Sequence, residues 1–310
     1  MKKRALITGI NGFVGTYLKN HLIQNNWEVI GLGIVEEEGV IPCDITDRNQ
    51  IRDVFENSGE ISHVFHLAAQ TFVPTANEVP LDTMNTNYGG TVNLLQILNA
   101  VSPETRFIYI SSADAYGPPL YLPVDEKHPL NPPNAYAISK AAADHYCSFF
   151  HKATNMHVIT MRPFNHTGPG QSEQFVLSNF AKQIAAIEAG MKPPVMQVGN
   201  LDAARDFLHV QDVVRAYVLA AEQAEGGTVF NVCSGRSNRI QDALEMLLAH
   251  ATVHITIEQD PTRMRPADVK DVHGDAEALT QATGWFPEHS FDMLLQDLLT
   301  YWRNIIGGNT

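Results

Sequence analysis

The stretch Ala5-Leu6-Ile7-Thr8-Gly9-Ile10-Asn11-Gly12-Phe13-Val14-Gly15 constrains the fold more than any other. Three apolar residues make a short buried strand, a glycine-rich turn follows, and an amphipathic helix runs on to about Gln24. Such a turn is a weak signal alone and a stronger one between a strand and a helix. Gly9 allows the tight turn, Gly12 lets backbone N–H groups approach a pyrophosphate, and Gly15 packs the helix on the strand. The helix N-terminus adds a dipole that favours anions. This turn, with Asn11, Phe13 and Val14, is the candidate nucleotide cradle.

Strands and helices alternate beyond it. Glu28 to Leu32, Val64 to Ala69, Phe107 to Ile110 and Val158 to Pro163 read as strands. Asn85 to Leu98 reads as one long helix, and a second starts near Asn134 and reaches about Lys152. The alternation gives an α/β fold, a Rossmann-type doubly wound parallel sheet. A smaller, mixed α/β C-terminal substrate lobe follows. Phe207 to Ala221 and Thr228 to Val232 read as returning to the first domain. We therefore expect residues 1–165 plus about 207–232 as a dinucleotide-binding domain, and about 166–206 with 233–310 as the lobe.

Tyr136 and Lys140 lie four apart in the second helix, on one face and one turn from each other. A free phenol, with a pKa near ~10, is a poor acid–base catalyst at neutral pH. An ammonium one turn away is expected to stabilise the phenolate and pull that value down. A Tyr-x-x-x-Lys pair alone arises by chance in roughly one chain in four of this composition. Its weight comes from Ser111-Ser112, which end the apolar run Arg106 to Ile110. A hydroxyl there can hold the carbonyl oxygen that the phenol protonates.

Together, the glycine turn, Ser112 and Tyr136-x-x-x-Lys140 resemble an extended short-chain dehydrogenase/reductase over nearly the whole chain. The resemblance implies Ser112, Tyr136 and Lys140 as the catalytic set. It implies cofactor contacts from Gly9, Asn11, Gly12, Phe13, Val14, Gly15, Asp44, Ile45, Leu67, Ala68, Ala69, Asn87, Tyr136, Lys140 and Pro163. Asp44 matches an acid that meets the adenine amino group, and it also suits a turn or cap. Asn87 matches an asparagine that supports the strand carrying the active site. His66 reads as a satisfied core histidine. An acid at the end of the second strand binds a ribose 2′-hydroxyl, and a basic residue binds a 2′-phosphate. Gly33-Ile34-Val35 offers neither, and Glu36 to Glu38 reads as a solvated turn. The expected cofactor is NADP(H), with NAD(H) also open.

Arg-Pro-Phe-Asn-His-x-Gly-Pro-Gly-Gln from Arg162, Asn-Leu-Asp-Ala-x-Arg-Asp from Asn200 and Met-Arg-Pro-Ala-Asp from Met264 resemble the GDP-mannose-modifying branch of that family. A GDP-linked sugar is the implied substrate. Arg205 and Arg265 are implied on its diphosphate or ribose, and Asn165, Asn179 and Lys182 around the nucleotide sugar. The implied reaction is reduction of the C4 keto group of GDP-4-keto-6-deoxy-D-mannose to GDP-D-rhamnose. The rival is GDP-mannose 4,6-dehydratase, or another nucleotide-sugar reductase or epimerase. The dehydratases carry a glutamate two residues after the catalytic hydroxyl. Asp114 stands there, one methylene shorter, and is assigned to the substrate.

The 310 residues carry a formal net charge of −13, which disfavours nonspecific nucleic-acid or anionic-lipid binding. No stretch approaches the ~20 apolar residues of a membrane span. Cys43, Cys147 and Cys233 are spaced for neither a disulfide framework nor zinc, and no metal site is expected. A cytoplasmic setting fits. Tyr146, Phe149 and Phe150 give the catalytic helix an apolar outer face, which core packing or a second subunit would cover. The resemblance implies a homodimer through this helix.

Overall fold

The computed structural model describes residues 3–263 and 269–308. The chain starts with β1 (Arg4–Thr8), α1 (Phe13–Gln24), β2 (Glu28–Gly33), β3 (Val40–Pro42), α2 (Arg48–Asn57) and β4 (His63–His66). Next come α3 (Val73–Glu78), α4 (Pro80–Met84), a π-helical turn (Asn85–Gly89), α5 (Gly90–Val101) and β5 (Arg106–Ile110). A 3-10 turn (Ala113–Tyr116), a long loop and α6 (Ala135–Thr154) bring the chain to β6 (Val158–Pro163). The remainder is β7 (Asn165–Thr167), α7 (Val176–Glu188), β8 (Val195–Val198), β9 (Ala204–Arg205), β10 (Phe207–His209), α8 (Val210–Gln223), β11 (Val229–Val232), β12 (Asn238–Arg239), α9 (Ile240–Ala249), β13 (Thr256–Gln259), β14 (Asp271–Val272), α10 (Glu277–Thr283) and α11 (Phe291–Gly307).

Seven strands form one parallel sheet in the order β11-β6-β5-β4-β1-β2-β3. Side chains alternate along each strand, so one strand feeds two cores. Ala5 and Ile7 pack with Leu18 and Leu22 of α1 and Val213 and Tyr217 of α8. Leu6 packs on the opposite face with Ile51, Leu94, Leu98 and Cys147. Burial on both faces explains why these strands are continuous apolar runs. The chain order reverses between β1 and β4, and ligands of such sheets bind at the C-terminal strand ends there.

Two sequence expectations change. β4 stops at His66 instead of reaching Ala69, because its partner β1 ends at Thr8, opposite His66. The expected single helix from Asn85 to Leu98 is a π turn followed by α5, with α4 leading in. The π turn accommodates the inward side chain of Asn87.

The lobe packs α7, α9 and α11 around Phe180, Ile184, Leu244, Leu295, Leu298 and Trp302. β13 pairs with β8, and β12 and β14 flank β9. β10 pairs with β7, while β11 joins the edge of the large sheet. Leu279 and Trp285, inside the segment expected in the lobe, pack instead with α1 and α8 under that sheet. Among the described residues no helix is long and apolar enough to cross a membrane.

Candidate active site

The turn after β1 is built by contacts only glycine permits. Gly9 has φ +72°, and a Cβ on it would lie 2.9 Å from the Ala68 backbone. A Cβ on Gly15 would lie 2.3 Å from the Gly9 carbonyl oxygen. Gly12 is the N-cap of α1, and no side chain caps that helix. Its first-turn amides therefore suit a pyrophosphate, with Phe13 and Val14 half-buried beside them. Leu67 and Ala68 face the turn from the loop after β4, and Ala69 follows them, half-buried. The site thus fits a dinucleotide.

Glu37 departs from the sequence reading. The Asn11 amide donates to its carboxylate. A Cβ on Gly33 would lie 2.9 Å from Asn11 Oδ1, so glycine at the end of β2 makes room for that side chain. The contact brings an acid from the expected solvated turn to the mouth of the cradle. Asp44 is exposed, and its Oδ1 accepts from the Thr46 amide and hydroxyl, both at 2.8 Å. The cap of α2 is Asp47, not Asp44. Ile45 is buried beneath Gly90.

α6 starts at Asn134, whose Oδ1 accepts from the Ala137 amide at 2.9 Å. The helix turns Tyr136 and Lys140 inward; they are 9% and 4% exposed. Ser112 caps the 3-10 turn by accepting from the Asp114 amide at 3.1 Å. Its hydroxyl also stands close enough to the Tyr136 phenol to favour the phenolate. Ser111 faces away and donates to Asp144 Oδ2 at 2.8 Å. Burial pushes the phenol above its ordinary value, the Asp114 charge adds to this, and the Ser112 hydroxyl opposes both.

Lys140 is anchored at the end of β5. Its ammonium donates to the Ile110 carbonyl and lies 5.0 Å from the centre of the Tyr109 ring. Burial pushes Lys140 down to about 8, against the pull of Cys147 and Asp144. Burial acts most strongly on the phenol, followed by the Asp114 charge and the Ser112 hydroxyl. The lysine turns toward the sheet, where the carbonyl at the end of β5 accepts its hydrogen bond.

Asn87 is 1% exposed. Its Oδ1 accepts from the Gln70 amide at 2.8 Å, and its Nδ2 donates to Ser139 Oγ at 2.8 Å. It ties the loop after β4 to the catalytic helix.

A buried network behind Lys140 escaped the sequence reading. Arg162 donates to Asp144 at 2.8 and 2.9 Å and to the Tyr116 hydroxyl at 2.9 Å. Tyr116 donates in turn to Asn231 Oδ1 at 2.7 Å. Breaking one partner of such a pair costs about 3–5 kcal/mol. The signal was an arginine inside an apolar strand.

Pro163 is buried at the end of β6, and Asn165 is exposed in β7. Phe164 between them packs 6.4 Å from Tyr116, which places β7 beside the turn bearing Ser112 and the exposed Asp114. Asn179 and Lys182 share one side of α7. Asn179 Oδ1 accepts from Arg263 at 3.1 Å, a residue absent from the expected set. Lys182 pairs with Glu173 at 2.8 Å and lies over the Trp302 ring. Arg205 donates to the Ala204 and Val269 carbonyls at 2.8 and 2.7 Å. Arg265 lies outside the described residues.

The family model for GDP-mannose 4,6 dehydratase matches residues 6–298. GDP-6-deoxy-D-mannose reductase of Pseudomonas aeruginosa is 38% identical, covering 98% of each chain. A GDP-mannose 4,6-dehydratase of Vibrio cholerae is 25% identical over 99% of this chain and 96% of its own. The structure of RMD from Pseudomonas aeruginosa complexed with NADPH superposes with a TM-score of 0.90 at 37% identity, covering 98% of this chain and 100% of that one. The chain therefore belongs to the GDP-mannose 4,6 dehydratase family of extended short-chain dehydrogenases/reductases.

Proposed function

We propose that this protein reduces the C4 keto group of GDP-4-keto-6-deoxy-D-mannose to GDP-D-rhamnose with NADPH, and accepts NADH. The observation that carries the reading is the Ser112 hydroxyl within reach of the buried Tyr136 phenol, at the same strand-end edge of the sheet as the glycine cradle. NADPH, when bound, supplies the hydride. Tyr136 gives its proton to the sugar O4, and Ser112 holds that oxygen in place. Burial keeps the phenol protonated, so it arrives as a loaded acid. Lys140, charged below about pH 8, adds positive charge next to this centre. Exclusion of water strengthens each of these interactions.

Asn165, Asn179, Lys182, Arg205 and Arg265 are proposed for the nucleotide sugar. Arginine suits the diphosphate because its planar fork matches phosphate oxygens. Asp114 is proposed to touch the sugar. A homodimer through α6 and a cytoplasmic location complete the reading, and the three cysteines are buried and unpaired as in a reducing compartment.

The test supplies NADPH with GDP-4-keto-6-deoxymannose, and GDP-mannose alone in a second vessel. Cofactor oxidation in the first vessel only is expected. A keto sugar formed in the second marks a dehydratase instead, and silence in both removes the enzyme reading.

A further inference from the structure

His66 is a buried titratable side chain that the proposed reduction does not use. It ends β4, is 1% exposed, and has both ring nitrogens hydrogen-bonded. Each proton on this line has one place. The Thr91 hydroxyl donates to the Asn87 carbonyl at 2.6 Å, because a carbonyl only accepts. Thr91 Oγ1 therefore accepts from His66 Nε2, 2.9 Å away. Burial pushes His66 down to about 3, with the Lys140 charge acting the same way, so the ring is neutral and Nδ1 keeps its lone pair. Nδ1 accepts from the Thr8 hydroxyl at 2.8 Å. Thr8 Oγ1 accepts from the Ala68 amide at 3.1 Å.

The two ends of this line are functional elements. Ala68 backs the glycine turn. Asn87 holds Ser139 Oγ, and the Ser139 hydroxyl donates to the Tyr136 carbonyl at 2.7 Å. A fully satisfied buried chain of this kind is rigid, and severing it leaves a polar atom without a partner.

We propose that His66 is a positioning residue with two separable arms. Its Nδ1 arm sets the nucleotide loop through Thr8 and Ala68. Its Nε2 arm sets the catalytic helix through Thr91 and Asn87. The assignment of turnover to the second arm rests on the reductase reading above.

Two half-mimics of imidazole test it. Asparagine places an acceptor near the Nδ1 position, and glutamine places a donor near the Nε2 position. His66→Gln therefore strands Thr8, and His66→Asn strands Thr91. NADPH affinity is read by fluorescence titration without substrate, and turnover is read separately with saturating cofactor. His66→Gln is expected to weaken NADPH binding about ten-fold, with the larger part of its loss in affinity. His66→Asn is expected to lower kcat about ten-fold, with the larger part of its loss in turnover. Equal losses of both quantities in both variants would overturn the proposal. Thr8→Val and Thr91→Val cut the same arms singly, and the same split is expected should a His66 variant not fold. A wild-type protein that binds NADPH but leaves the keto sugar untouched sinks the reductase reading. The affinity comparison then still decides whether the Nδ1 arm exists.

Discussion

The ammonium of Lys140 donates to the main-chain carbonyl of Ile110, although Tyr136 lies one turn back on the same helix. A buried charge held by a neutral oxygen is costly, and the pKa of Lys140 falls from 10.5 to about 8. Between those values the unfolded chain holds the extra proton, so stability rises with pH across that window. Below about pH 8 both states are charged and the full cost of burial remains. Lys140→Met removes this titration. In urea unfolding, the wild type is expected to gain on the order of 3 kcal/mol relative to Lys140→Met between about pH 8 and 10.5. Parallel stability curves for the two proteins would refute the desolvated lysine.

Tyr136 is the proposed general acid, with Ser112 near its hydroxyl. Tyr136→Phe removes the proton and keeps the ring's packing. Turnover is expected to fall by about 10²–10⁴-fold with the circular dichroism spectrum unchanged. Near wild-type turnover from the folded variant would take the phenol out of the reaction.

Asp114 raises the Tyr136 pKa by its charge. A general acid works only while protonated, so activity is lost as pH rises through the phenol pKa. Asp114→Asn removes the charge and lowers that pKa. The alkaline limb of the kcat profile is expected to shift to lower pH. A limb that stays put would separate Asp114 from the phenol.

What could be read from the sequence followed from local rules. The apolar runs gave the strands, since a sheet covered on both faces needs them. Helical spacing put Tyr136 and Lys140 on one inward face of α6, and the apolar run put Ser112 just past the end of β5. Other features depended on contacts between distant segments. The direction of Lys140 is set by a carbonyl of β5, and the end of β4 is set by the length of β1. The split of the apolar face of α6 is equally non-local: Phe150 is buried at 6% exposure while Phe149 is 60% exposed. The Asp144–Arg162 pair joins a helix to a strand, and its two residues carry no shared local signal.

Glu37 reaches back to Asn11, where sequence alone left a solvated loop. A carboxylate at this position tolerates a ribose hydroxyl and repels a 2′-phosphate. Glu37→Gln removes the repulsion and keeps the side-chain length. The ratio of NADPH to NADH affinity is expected to rise about ten-fold, measured as dissociation constants for each cofactor. An unchanged ratio would show that Glu37 lies away from the bound ribose.

Ile138 and Phe149 are 47% and 60% exposed on α6, and Leu81 of α4, a helix that packs on α6, is 83% exposed. Eleven residues make about three turns, so Ile138 and Phe149 share one face of the helix. Tyr146 extends the apolar surface by packing 5.9 Å from Phe149 and 5.9 Å edge-on from Tyr88. Exposed apolar side chains on one helix face are the surface that the proposed homodimer would bury. In a two-fold dimer one substitution acts twice, because each copy presents the same face to the other. Phe149→Glu therefore places two charges in the apolar contact, and water solvates them only when the subunits part. Sedimentation velocity is expected to show a dimer for the wild type and a monomer for Phe149→Glu at the same micromolar concentration. A wild type that sediments as a monomer, or a variant that remains dimeric, would move the interface off α6.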